Sequence, residues 1–170
     1  EEFGSFSIAF VIASVITLCL DYGFNLKGLV LTSMNEKEVN NQLSLMFSSK
    51  VVLTFLISIF FLIFFNFSSY DNATNKVVLI LSLSAIPSSF GNFFLNNFKI
   101  IDRFDKESTG HFIQSFLLII LLISNHYFGF NNILFYSYIL LITKCIYLAY
   151  AALSFQNSVF YPLFFNFKSS

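Results

Sequence analysis

A lysine in the middle of a long apolar run is the sharpest chemical feature of this sequence. Lys144 lies within the run from Asn132 to Ser154, and an ammonium at bilayer depth costs roughly 2.5–3.5 kcal/mol on insertion scales. At about 100° per residue, Asn132, Tyr136, Thr143, Tyr147, Tyr150 and Ser154 share one helix face. Leu140 falls among them, and Ser137 and Lys144 lie at the edge. Such a face is expected to meet a bundle interior or a water-filled cavity rather than lipid. Two roles for Lys144 stay open. It snorkels or pairs with one buried acid, or it presents a cation to an anionic substrate, with Tyr136, Tyr147 and Asn92 as polar neighbours.

Lys50, Thr54 and Ser58 step by four along an earlier apolar run. Lys50 is either an interfacial, snorkelling lysine or a second cation at the mouth of a cavity. Asp21 closes the first run, in Asp21-Tyr22-Gly23-Phe24-Asn25. An acid at a helix C-terminus opposes the macrodipole, so a partner is expected, Lys27 or Lys50. Asp21 is then a structural latch, or alternatively a proton or ion site. Gly23 suits the turn out of the helix. Pro87 is expected to break the third run, ahead of Ser88, Ser89, Gly91, Asn92 and Asn96. Groups freed inside a membrane need a polar neighbour or cavity, and transporters place broken helices along their pathways. Ser5, Ala9, Ala13 and Thr17 form a small-residue stripe suited to close helix packing.

Other reactive types form no constellation. His111 and His126 are separated by about 22 Å along one helix, too far to share a metal. Cys19 and Cys145 lie in separate apolar runs and are expected to be small buried hydrophobes. Catalytic triads, phosphate-cradling glycine loops and paired carboxylates are not visible, so no enzyme, metal or cofactor is expected. Asp102, Asp105 and Glu107 alternate with Lys99, Arg103 and Lys106, and are expected in a solvated loop.

These side chains must be held by membrane-spanning helices. Only 11% of the 170 residues are charged and 56% are hydrophobic, against about 25% charged in a soluble domain. Lipid must therefore solvate most of the chain. Five runs reach the ~20 residues needed to cross a bilayer: 3–20, 43–65, 77–98, 111–127 and 132–154. The expected fold is all-α, a polytopic transmembrane helix bundle over 1–154, with 155–170 as a tail or linker. Asn35 and Glu38 form a capping-box pattern, which predicts a helix starting near Glu36 and continuing into the second span. Asn66-Phe67-Ser68 and Asn72-Ala73-Thr74 match the glycosylation acceptor pattern, as an Asn-rich chain does by chance. Lys27, Lys37, Lys50, Lys99, Arg103, Lys106 and Lys168 fall on one side, with Lys76 on the other. This bias predicts an outer N-terminus and a cytoplasmic C-terminus. The formal net charge of zero points to no nucleic acid. The chain opens on Glu1 without a signal-peptide pattern, and is expected to be a piece of a longer protein.

Glu2-Phe3-Gly4-Ser5-Phe6-Ser7 opens the first helix and Asp21-Tyr22-Gly23-Phe24-Asn25-Leu26 closes it. A polar link follows, and then Ser48-Ser49-Lys50 near the start of the next helix. This order resembles the O-antigen flippases of the Wzx type, within the multidrug/oligosaccharidyl-lipid/polysaccharide exporter superfamily. Past Phe65 the similarity is in hydropathy, helix spacing and the basic link after the third span. The resemblance implies about twelve helices in two bundles around a central cavity, this chain supplying most of the N-terminal bundle. It also implies carriage of an undecaprenyl-pyrophosphate-linked oligosaccharide across the bacterial inner membrane. A polysaccharide polymerase and a chain-length regulator would be partners. Two alternatives stay open: another exporter of the superfamily, for a drug or a different lipid-linked glycan, and a non-transporting membrane assembly subunit.

Overall fold

A computed structural model describes residues 2–21, 36–66, 71–129 and 132–156. They form five helices: α1 (Glu2–Asp21), α2 (Glu36–Asn66), α3 (Asn72–Asn96), α4 (Phe104–Tyr127) and α5 (Ile133–Gln156). A short 3-10 segment, Asn97–Ile101, joins α3 to α4. The fold is all-α, and all five helices are long and apolar enough to cross a membrane. Tyr22, Gly23, Lys27, Asn35 and the tail beyond Gln156 lie outside the described residues.

The helices extend past the apolar runs because polar residues cap them. Asp71 caps α3, its carboxylate accepting from the Thr74 backbone N–H, which starts the helix five residues before Val77. The run Asp105–Glu107 is not a solvated loop. It forms the first turn of α4, where acidic side chains meet the positive end of the helix dipole. There Glu107 also pairs with Lys99 at 3.0 Å. Asp102, at φ 56°, makes the left-handed step between the two helical segments. α2 is a single helix from Glu36, so the expected interfacial segment and the second span are continuous. α3 passes through Pro87 without interruption. The expected break is absent, since a proline costs a helix one backbone hydrogen bond without having to end it.

α3 is the hub. Of its span, 61% is buried, against 6–22% for the other four. At one end Ala9 and Ala13 of α1 lie against Val77, Val78 and Leu81 of α3, flanked by Phe61 and Phe65 of α2 and Leu140 of α5. The small side chains let α1 approach closely, and Thr74 donates a hydrogen bond from α3 to Ser5 Oγ at 2.9 Å. Thr74 is therefore buried in a helix contact, and the Asn72 acceptor pattern lies in the first turn of α3. At the other end Phe93, Leu95 and Phe98 pack with Val39, Leu43 and Met46 of α2 and with Tyr147, Ala151 and Phe155 of α5. Phenylalanines make the α2–α3 contact there, Phe47 meeting Phe90, Phe93 and Phe94. Cys19 and Cys145 are exposed on the outer surface, not buried. A thiol behaves as a small hydrophobe, so an apolar outer surface suits it as well as a core.

Candidate functional site

The buried line of α5 is Ser137, Thr143, Tyr147, Ala151 and Phe155, one step of six residues followed by three of four. It carries part of the polar face expected from sequence, and α3 is its main partner. Lys144 stands at the edge of this line, at the middle of α5. Its Nζ donates to Ser84 Oγ at 3.3 Å, and Ser84 is the central residue of α3. Both groups therefore sit at the mid-depth of their helices. No described carboxylate pairs with Lys144.

Around Lys144 lies a cleft of about 390 Å³ between α1, α3 and α5. Its polar wall consists of Ser14, Thr17, Ser84, Ser88 and Lys144, set among Phe10, Ala13, Leu18, Leu81 and Leu140. Three of those hydroxyls donate to their own helices: Ser14 to Phe10 O, Thr17 to Ala13 O and Ser84 to Leu81 O. Each thereby keeps its oxygen lone pairs available. The cleft thus offers one ammonium and several hydroxyl oxygens at mid-helix depth, a lining suited to a hydroxyl-rich ligand with a negative group. Ser14 and Ser84 of this lining stand out by no sequence motif, and Thr17 reads from sequence only as part of the small-residue packing stripe. Ser84 and Ser88 are spaced by four on α3, and Ser14 and Thr17 by three on α1, a helical signal that could have placed each pair on one face.

Lys50 does not snorkel. Its side chain is 1% exposed and its Nζ lies 2.8 Å from Asp21 Oδ1 and 3.1 Å from Leu20 O. Ser89 donates to the same carboxylate oxygen at 2.5 Å. The rings of Phe90 and Phe93 flank the ammonium, with centroids 5.8 and 5.7 Å away. Asp21 thus takes Lys50 as its partner, and the pair joins the end of α1 to α2 and α3.

Tyr147 and Asn92 do not line the cleft. Tyr147, 1% exposed, donates to Asn92 Oδ1 at 2.9 Å across the α3–α5 contact. Its ring lies over Gly91, where an added Cβ would be 2.5 Å from Tyr147 Cδ1 and Cε1. These two residues bind the bundle together rather than line the cleft, and the absent side chain of Gly91 lets one edge of the Tyr147 ring approach α3 closely. Tyr136 is half-buried and lies outside the cleft wall. Of the substrate-pathway candidates Lys144, Tyr136, Tyr147, Asn92 and Lys50, Lys144 alone lines the cleft, while Lys50 and Asp21 meet each other beside Ser89 of α3.

No family model, curated protein or solved structure matches this chain. The site's chemistry therefore rests on its own geometry. Among the described residues no group of three His, Cys, Asp or Glu side chains could hold a metal ion. His111 and His126 are both exposed, and His111 lies against the Tyr147 ring at 5.5 Å between centroids. On the other side of α1, Ile16, Leu20, Ile57, Ser58 and Ser82 help line a smaller apolar cleft of about 170 Å³. Ser82 Oγ there is buried with no partner among the described residues.

Proposed function

We propose that this chain is part of an exporter that moves a lipid-linked oligosaccharide from the cytoplasmic to the outer leaflet of a bacterial inner membrane. Lys144 carries the proposal. It is a mid-span ammonium without a carboxylate partner among the described residues, facing a hydroxyl-lined cleft. The physical task is to take an anionic pyrophosphate and a polar glycan through oil. A cation with hydroxyl oxygens replaces the water that both groups lose. The Lys/Arg bias supports an orientation with the α1 N-terminus outside and the end of α5 in the cytoplasm. The resemblance of the first sixty residues to the Wzx-type flippases supplies the cargo class, and with it a second bundle facing the cleft. A polymerase and a chain-length regulator would receive the translocated units.

The test is O-antigen display in cells carrying the complete protein. Lys144→Ala is expected to reduce display by about tenfold or more, the size of one lost charge-assisted hydrogen bond, with the amount of protein in the membrane unchanged. Normal display in that variant removes Lys144 from the mechanism.

A second reading, a non-transporting assembly subunit, draws support from the internal pairing of Tyr147 with Asn92 and of Lys50 with Asp21. It requires Lys144 to find an acid on a partner chain. In that case Lys144→Ala weakens assembly, seen as loss of a co-purifying partner, and leaves lipid transport by other proteins intact.

A further inference from the structure

The Lys50 ammonium sits in a site whose parts recognise a cation and do not need its tether. Asp21 supplies a carboxylate oxygen at 2.8 Å. Leu20 O, at 3.1 Å, is one of the last carbonyls of α1, which have no intrahelical donor and lie at the negative end of the helix dipole. Phe90 and Phe93 present their rings at 5.8 and 5.7 Å, within the range of cation–π attraction. The Ser89 hydroxyl donates to Asp21 Oδ1 and so fixes the carboxylate that faces the ammonium. Three helices contribute: α1 the two oxygens, α3 the rings and the hydroxyl, α2 the lysine.

We propose that Asp21, Leu20 O and the Phe90 and Phe93 rings form a monovalent-cation site of potassium or ammonium size. The Lys50 side chain fills it in this conformation. An ammonium and a potassium ion have nearly the same radius, so a cage shaped around Nζ fits potassium and free ammonium better than sodium. The Asp21 side chain is only 16% exposed, and a carboxylate so largely enclosed is disfavoured without a cation, so the site draws in a free ion whenever Lys50 leaves. Exchange of the tethered ammonium for a free ion leaves the local charge unchanged. The end of α1 then stays bound to α3 while α2 is released. The site is separate from the Lys144 cleft, so it stands or falls independently of the cargo proposed for that cleft. Ser84 and Ser88 project from one side of α3, and Ser89, Phe90 and Phe93 from positions roughly half a turn round, at about 100° per residue.

The experiment is thermal unfolding of the purified full chain in detergent, in potassium, ammonium, sodium or choline chloride at equal ionic strength. The wild-type protein is expected to melt at the same temperature in all four salts, because Lys50 occupies the site. Lys50→Met is expected to melt about 5 °C higher in potassium or ammonium than in choline, the shift that ligand binding to the folded state alone produces. The double variant Asp21→Asn/Lys50→Met is expected to show no salt preference, since the carboxylate is gone. Any one of four results overturns the proposal. Lys50→Met melts identically in all four salts or fails to fold in any of them, the double variant keeps the potassium response, or sodium stabilises Lys50→Met as much as potassium does.

Discussion

Replacing Gly91 by alanine tests the α3–α5 contact at its tightest point. Two effects oppose each other. Alanine is better than glycine in a helix by about 1 kcal/mol. The new methyl group, however, would sit 2.5 Å from two ring carbons of Tyr147 and 3.6 Å from a third. That ring cannot swing away cheaply, because Tyr147 is 1% exposed and its hydroxyl is held by Asn92. Overpacking of this kind costs about 1–3 kcal/mol, and a lost interhelical hydrogen bond in a membrane protein adds about 0.6 kcal/mol. The clash wins, with a net loss of about 0.6–2.6 kcal/mol. Reversible unfolding in mixed micelles measures it. Gly4→Ala is the internal control, since nothing lies within 4 Å of a Cβ added there, and it should be neutral or slightly stabilising. A second control removes the ring: in a Tyr147→Ala background, Gly91→Ala should lose its penalty and show the helix-propensity gain alone. If Gly91→Ala is as stable as Gly4→Ala in the wild-type background, the close approach of Tyr147 to α3 is wrong.

The cleft should be wet and the outer face of α5 should not. Lys144→Cys, in a Cys145→Ser background, is expected to react with a charged, water-soluble thiol reagent at least about tenfold faster than Cys145 does in the wild-type chain; equal rates would mean that the cleft excludes water. Thr74→Val removes the hydroxyl that donates to Ser5 across α1 and α3, and should cost about 0.6 kcal/mol in the same unfolding assay. Pro87→Ala should leave oligosaccharide display unchanged, because α3 is already continuous through that position; a marked loss would show that the proline is needed for a bend or a motion of α3.

What could be read from sequence follows a physical divide. Length and hydropathy determine how many helices can cross a bilayer, so the five spans were visible, including a second helix that starts at Glu36. Their ends were less visible, because caps and dipoles extend helices beyond the oil-soluble stretch. Asp71 carries α3 back, and Asp105 and Glu107 belong to the first turn of α4. The polar face of α5 was legible as a periodicity, but its division was not. Helical angles place Tyr147 and Lys144 within one broad sector, and they do not reveal that α3 offers a glycine opposite one and a serine opposite the other. The partner of Asp21 was narrowed to Lys27 or Lys50, and the choice needed the long-range α1–α2 contact that makes the 2.8 Å pair. Proline chemistry misled in the other direction, because a lost hydrogen bond is compatible with a helix that simply continues.

The two intramembrane lysines differ in how their charge is met, and that difference separates structure from function. Lys50 is enclosed by an aspartate, a helix-terminal carbonyl and two aromatic faces. Its charge is answered within the chain, and removing either partner would leave a buried charge exposed to an apolar surrounding at a cost of about 3–5 kcal/mol. Lys144 has one serine oxygen at 3.3 Å, a weaker contact than the 2.8 Å ion pair, beside a cleft of about 390 Å³. An ammonium so poorly compensated cannot repay its insertion cost from contacts within the bundle. Its compensation must enter the cleft from outside the described helices, as water, as an acidic partner or as the anionic group of a ligand. A transport role requires the last of these at some stage of the cycle. The accessible thiol at position 144 and the display phenotype of Lys144→Ala separate the three cases: water alone gives access without a phenotype, an acidic partner gives a phenotype with a lost binding partner, and a transported anion gives both access and lost display.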